Sequence, residues 1–369
     1  MDRRKAAECA EKVPTNFMIN KISLLFCLML LPFVVTLDCG NGSASVSIKN
    51  AVAGVVAAEN MNSAFPERMV AMAPPAYPKP LILKRQVHSS VLTFKHPDTL
   101  PYLTFAPAML EAMYEQANYL RRSDAKKYPV KGISKAEMLK TVELLQECQI
   151  LQPEAMLDRF DFYQVNTELK KDRVRITGYY TPMVQASRVQ TPEFSIPILR
   201  RPEHVPSPAA IAAGALEGKG LEMAWVRSKK ELANAQLQGS CWVEYADGKR
   251  EHFGFGGSVK GAGGVYVFFT KVDEKVLGAG FFPLTAGYSV AVDPRVIPIG
   301  ATLLAELPDM DPAGNLKGYT YRILFAQDRG GAILTTKRLD LYSGIGMNGL
   351  QEARKINGYG RLWVLLPKQ

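Results

Sequence analysis

From about residue 160 onward the chain is a succession of short apolar runs punctuated by glycine and proline. The runs at 172–181, 194–200, 264–270, 288–293, 301–307, 319–327, 338–342 and 360–366 are rich in β-branched and aromatic residues, which suits strands. Trp242–Tyr245 and Arg250–Phe255 flank Ala246-Asp247-Gly248-Lys249, the pattern of a hairpin turn. Only Ala209–Leu216 reads as a short helix. Many short strands joined by Gly/Pro turns favour a closed barrel over a doubly wound sheet.

The front of the chain reads differently. Residues 106–122 place Met109, Met113, Ala117 and Leu120 at helical spacing. Residues 134–148 open with Ser134 and Glu137, a capping box, and carry Leu139, Val142 and Leu145 on one face. The fold class is therefore mainly β with N-terminal helices (α+β). Residues 46–92, with Ala-Pro-Pro-Ala-Tyr-Pro-Lys-Pro, read as a disordered linker. Ile22–Leu37 is apolar except for Ser23, Cys27, Pro32 and Thr36, and Lys21 precedes it. That is short for a membrane span and suits a signal-peptide core, with Gly42-Ser43-Ala44-Ser45 for cleavage. Residues 1–45 are read as this signal region, and Met18 offers an alternative start. Cys39 follows Asp38, where a lipoprotein box needs a small residue.

Of five cysteines, Cys148 and Cys241 lie beyond this region and read as buried free thiols. His88, His96, His204 and His252 lack metal-ligand spacing, so neither metal nor cofactor is expected. Gly254-Phe255-Gly256-Gly257 and Gly261-Ala262-Gly263-Gly264 open no helix and have no Walker Lys-Ser/Thr. They read as hairpin connections.

Chemistry concentrates near the C-terminus. Asp328 closes an apolar run and meets Gly330-Gly331; Asp340 lies between Leu339 and Leu341. Strand alternation puts these leucines on one face and Arg338, Asp340 and Tyr342 on the other. A carboxyl group on a rigid strand facing a cleft suits glycosidic cleavage. From spacing alone, Asp before Gly is equally a turn residue, and a strand aspartate can simply be solvated. Tyr179 and Tyr180 can likewise be strand packing, and Asp293 before Pro294 reads as a turn residue.

These residues also resemble a known family. Asp328-Arg329-Gly330-Gly331-Ala332-Ile333 followed by Arg338-Leu339-Asp340-Leu341-Tyr342-Ser343-Gly344 is similar to the C-terminal signature of lytic murein transglycosylase A. Gly178-Tyr179-Tyr180-Thr181-Pro182, Gln238-Gly239-Ser240, Ser289–Asp293 with Ile297–Gly300, and Gly358–Leu365 match further blocks in order. The resemblance implies a double-psi β-barrel from 93–184 together with 285–369, and an inserted smaller β-domain at 185–284. It implies a lyase, a peptidoglycan lytic exotransglycosylase, although the residues themselves do not separate exo from endo action. Asp340 would act as acid and then base, with Asp328 second. Tyr179, Thr181, Gln238, Arg338 and Tyr342 would bind substrate. The implied partner is the peptidoglycan glycan strand, for a periplasmic monomer associated with the outer membrane. This chain departs from the family between Gly264 and Val265, where many relatives carry a longer segment. Two other readings stay open: a glycoside hydrolase using Asp328 and Asp340 as a pair, and a non-catalytic wall-binding module.

The formal net charge is +10, and residues 1–45 hold five Lys/Arg and four Asp/Glu, leaving +9 beyond them. This favours an anionic partner. No nucleic-acid motif or concentrated basic run is present, whereas peptidoglycan offers carboxylates on its stem peptides.

Overall fold

The computed structural model describes the backbone at 36–40 and 43–47, Val87, and residues 89–369 apart from 123–129, 131, 149, 168–171, 274 and 312. The chain divides into two units, Met1–Lys79 and Pro80–Gln369. In the first, β1 (Thr36–Gly40) pairs antiparallel with β2 (Ser43–Ser47). Apart from β1, the expected signal core lies outside the described residues, as does most of the expected linker. No helix among the described residues is long and apolar enough to cross a membrane.

The second unit begins with β3 (Leu92–Phe94), β4 (Leu103–Thr104), α1 (Pro107–Arg121), α2 (Lys135–Gln146), β5 (Ile150–Leu151), α3 (Pro153–Arg159) and β6 (Phe160–Val165). Pro107 starts α1 where its missing N–H costs nothing, and Met109, Met113, Ala117 and Leu120 are buried as their spacing predicts. The capping box of α2 is formed: Ser134 Oγ accepts from Glu137 N, and Glu137 accepts from Ser134 N at 2.8 Å. Its buried face is Met138, Val142 and Leu145, and the expected Leu139 only packs at the margin.

Next come β7 (Val174–Thr181), β8 (Met183–Ala186), β9 (Ile196–Leu199), α4 (Pro208–Ala212), β10 (Glu222–Val226), α5 (Lys229–Gln238), β11 (Cys241–Tyr245), β12 (Arg250–Gly261) and β13 (Gly264–Val272). The chain ends with β14 (Ser289–Ala291), β15 (Thr302–Met310), β16 (Leu316–Asp328), β17 (Arg338–Ile345), α6 (Gly346–Lys355), β18 (Asn357–Gly360) and β19 (Leu362–Pro367). The fold is mixed α and β with strands dominant. Helix α4 overlaps the helix expected at 209–216, whereas two helices, α5 and α6, lie where strands were expected to prevail. One of them, α5, has its own capping box, Ser228 with Glu231, and ends on the left-handed Gly239 (φ 78°). The glycines 254–257 are not a connection. They lie inside β12, where the register shifts between Phe255 and Gly257.

One nine-stranded sheet has the order β18-β7-β17-β14-β16-β15-β19-β6-β3, and a four-stranded sheet the order β13-β12-β11-β8. The larger sheet takes strands from before residue 182 and after residue 288. Its hydrogen-bond ladder runs from β18 to β3 without closing on itself. Helices α1 and α2 and this sheet share one core, in which Trp363, Phe160, Phe162 and Phe325 are fully buried. Residues between Val184 and Phe269 form separate apolar clusters, one around Val243, Phe253 and Phe269 and one around Ile211 and Phe268.

Two close approaches fix the end of the large sheet that carries β7. A Cβ at Gly178 would stand 2.5 Å from Ala353 Cα, so the glycine lets α6 lie directly on β7. Gly360 permits β18 to press on the backbone of Glu306. The buried Glu306 accepts from Arg173 (3.0 Å), Arg361 (2.6 Å) and Tyr321 (2.7 Å). Burial opposes its ionisation, but the hydrogen bonds of Arg361 and Tyr321 outweigh it and hold the carboxyl below its usual range.

Candidate active site

Strands β7, β17, β14 and β16 are neighbours in the large sheet. Their register sets Thr177 opposite Asp340, Tyr179 opposite Tyr342, Asp340 opposite Ala291, and Ala291 opposite Asp328. Residues matched across adjacent strands project from the same face. Both aspartates therefore stand on one face, in register on either side of Ala291. Asp328 reaches this position through a β-bulge. Val290 pairs with Ala326 and Ala291 with Asp328, so Gln327 is the extra residue. Gln327 is buried, donating to Ala112 O (3.0 Å) and accepting from Ser289 Oγ. Bulges of this kind re-aim a side chain next to a site.

The alternation in β17 follows from its sequence. Leu339 and Leu341 are in the main core, while Asp340 is held from the opposite face. Arg338 Nε donates to Asp340 Oδ1 at 2.6 Å and its Nη2 to Oδ2 at 2.8 Å. Thr177 Oγ1 donates to the same Oδ1. The Asp340 side chain is only 11% exposed, against 39% for Arg338. Bidentate, charge-assisted contacts of this type are strong and directional.

Asp328 is held differently. Tyr179 Oη donates to its Oδ2 at 2.8 Å. Some of the residue remains accessible to solvent, yet protein atoms crowd its carboxyl. Burial pushes that carboxyl up to about 6, against the opposing pull of the Tyr179 hydroxyl, backbone N–H groups and Arg329. Burial and the Asp328 charge together push the Tyr179 hydroxyl well above its usual range, so it serves as a donor. The rings of Tyr179 and Tyr342 lie 5.3 Å apart. Tyr342 Oη is 3.2 Å from Thr181 Oγ1, which is 3.3 Å from Ser240 Oγ. Burial pushes the Tyr342 hydroxyl up to about 12.

Gln238, the last residue of α5, accepts from Tyr180 N at 3.3 Å, and Asn234 Nδ2 donates to Tyr180 Oη at 2.9 Å. Every residue singled out from the sequence thus falls in or beside one constellation: Asp340, Asp328, Tyr179, Thr181, Arg338 and Tyr342 within it, Gln238 at its border. Sequence reasoning missed Thr177 and Ser240. Thr177 was accessible by alternation from Tyr179 and Thr181. Asp293 does more than end a strand. It is buried, binds Arg295 through both oxygens, and accepts from Thr335 N at 2.7 Å. Thr335 has φ 67°, so Asp293 anchors a left-handed residue in the segment joining Asp328 to Asp340. Arg295 holds the Asp293 carboxyl down to about 2. Cys148 and Cys241 are free thiols, the second buried. Among the described residues no cluster of three His, Cys, Asp or Glu is arranged to hold a metal ion.

Two family models match, a 3D domain over residues 288–366 and an MltA specific insert domain over 175–208. Membrane-bound lytic murein transglycosylase A of Escherichia coli (strain K12) is 32% identical over 253 residues, covering 56% of this chain and 69% of that protein. The structure of E. coli MltA with bound chitohexaose superposes with a TM-score of 0.64 at 26% identity, covering 77% of this chain and 97% of the other. A membrane-bound lytic murein transglycosylase from Agrobacterium tumefaciens, 21% identical, shares the fold with a TM-score of 0.59, covering 70% of this chain and 92% of its own. With the two aspartates, Tyr179 and Thr181 lying inside or between the matched segments, the chain belongs to the membrane-bound lytic murein transglycosylase A family.

Proposed function

We propose that this protein is a peptidoglycan lytic transglycosylase. It would cleave the β-1,4 bond between N-acetylmuramic acid and N-acetylglucosamine and leave 1,6-anhydromuramyl ends. The observation that carries the reading is the pair Asp340 and Asp328, in register on either side of Ala291 beside Tyr179 and Thr181. Family membership and the chitohexaose held by the E. coli relative support a glycan substrate.

In this mechanism Asp340 gives its proton to the glycosidic oxygen as the C1–O bond breaks. The muramyl 6-hydroxyl then attacks C1, and its proton returns to the Asp340 carboxylate. The nucleophile is already tethered to the reacting sugar, which supplies the entropic advantage of proximity. Thr177 orients the acid; Tyr179, Thr181, Gln238 and Tyr342 line the sugar path.

The large sheet would close as a double-psi barrel made from 93–184 and 285–369, with 185–284 inserted. Two features support closure. Only Arg361 separates β18, paired with β7, from β19, paired with β15. Tyr179 on β7 also reaches Asp328 on β16, three strands away. On a flat sheet side chains stand roughly perpendicular and would not meet at that span. The apolar segment 22–37 and the membrane-bound relatives support export to the periplasm and association with the outer membrane.

One observation favours a second reading. With its carboxyl near 6, Asp328 is able to share acid–base work with Asp340 in a water-using hydrolase. Digestion of purified peptidoglycan in oxygen-18 water, read by mass spectrometry, separates the two. Transglycosylation yields anhydro ends without solvent oxygen, whereas predominant labelled reducing ends would reject it.

A further inference from the structure

Arg338 and Arg175 face each other in register across β17 and β7, about 4.8 Å apart at the strand spacing. They share the face that carries Asp340 and Thr177. Like charges directly opposite in a sheet are destabilising, so this pairing calls for compensation. Arg338 finds it in Asp340. Arg175 is exposed, and its polar partner is the Asn357 amide oxygen at 3.3 Å. Among the described residues no carboxylate pairs with it. Beside Asp340 the two strands therefore carry two guanidiniums, of which only Arg338 is paired with a carboxylate.

The fork on Asp340 has a second consequence. Arg338 donates to both carboxylate oxygens and Thr177 to one of them. Together they occupy both lone pairs of Oδ1 and one of the two on Oδ2. The guanidinium lies along Oδ2, and moving it away opens that oxygen to a glycosidic oxygen.

Resting on the transglycosylase reading, we propose that Arg175 and Arg338 form a seat for a carboxylate of the substrate, and that seating this group draws Arg338 off Asp340 and frees it for proton transfer. The fitting ligand is a glycan whose muramyl residues carry acidic peptides. Arginine suits the task because its planar fork exchanges one carboxylate for another at little cost in geometry. Cleavage would thereby be tied to peptide-bearing strands, with Arg175 and Arg338 as the specificity residues.

The test compares native peptidoglycan with the same material after its carboxyl groups are converted to methylamides by carbodiimide coupling. The wild type should favour the native substrate by roughly tenfold, the scale of one charge-assisted hydrogen bond, and the difference should reside in kcat. Arg175→Gln and Arg338→Gln should each bring the ratio near one. Arg175→Gln alters an exposed side chain and serves alone if the other variant fails to fold. Independently of turnover, the Arg338 Nε–H resonance in nitrogen-15 arginine-labelled protein should shift with an acidic disaccharide-tetrapeptide and not with its amidated form. A full wild-type ratio in Arg175→Gln, or equal shifts with both ligands, overturns the proposal. Labelled reducing ends from the wild type would instead reject the transglycosylase reading, while the resonance would still report the seat.

Discussion

Tyr179 donates a hydrogen bond of 2.8 Å to Asp328, although their strands stand three places apart in the sheet. The contact keeps a buried carboxyl supplied with a donor but does not lower it to the ordinary range, since burial still pushes it to about 6.

Asp328 should therefore make stability fall with rising pH. Its folded value lies above the ordinary 3.8, so between about 4 and 6 the folded state binds more protons than the unfolded one. The penalty is absent below this window and complete above it. Asp328→Asn removes the penalty and keeps an acceptor for Tyr179. The variant should gain about 1–3 kcal/mol over wild type at pH 8 and little at pH 4. Thermal unfolding at the two pH values checks this, and an equal effect at both would contradict it.

Asp340→Asn should reduce release of anhydromuropeptides by about 10²–10⁴-fold or more, the usual cost of losing a general acid. The amide still accepts from Thr177, so the fold should survive with a loss of about 1 kcal/mol from the partly exposed Arg338 contact. Turnover like wild type in a folded variant would remove Asp340 from the mechanism.

Asp293 behaves in the opposite sense to Asp328. Its folded value is depressed to about 2 by Arg295, so its stabilisation is present above about 4 and lost as pH falls through 2. Asp293→Ala should cost about 1–2 kcal/mol at pH 7, discounted because Arg295 is exposed, and the gap from wild type should narrow near pH 2. Because Thr335 loses its anchor, kcat should also fall. Denaturant titrations across pH, paired with rates at neutral pH, test both parts.

Gly178→Ala pushes a methyl group against the Ala353 backbone, 2.5 Å away. Backbone cannot rotate aside, so the cost should be about 3 kcal/mol, at the upper end for overpacking. The shift of β7 should lower activity through Thr177 and Tyr179. A chemical-denaturation midpoint unchanged from wild type would show that α6 does not rest on β7.

Local patterns carried much of this fold. The capping box at Ser134 and Glu137 acts within one turn, and the alternation around Asp340 acts along one strand, so both were legible. Helix α5 was legible too, through Ser228 and Glu231, but was masked by the strand-rich surroundings. The glycines of β12 misled because a glycine that admits a neighbouring backbone looks like one that makes a loop: Gly256 lies against Phe269.

The sequence by itself determined which residue types make up the candidate site and which face of β17 they occupy, because a strand's period of two depends only on neighbours along the chain. Tertiary structure alone decided their partners. Thr177 meets Asp340 across 163 positions and Tyr179 meets Asp328 across 149, contacts that no local period encodes. It also decided that Arg338 turns onto Asp340, and that Gln238 meets the Tyr180 backbone. Such pairings arise only when sheet register and helix packing bring distant segments together. Protonation follows from them, since burial and the nearest donor set whether a carboxyl lies near 2, as in Asp293, or near 6, as in Asp328.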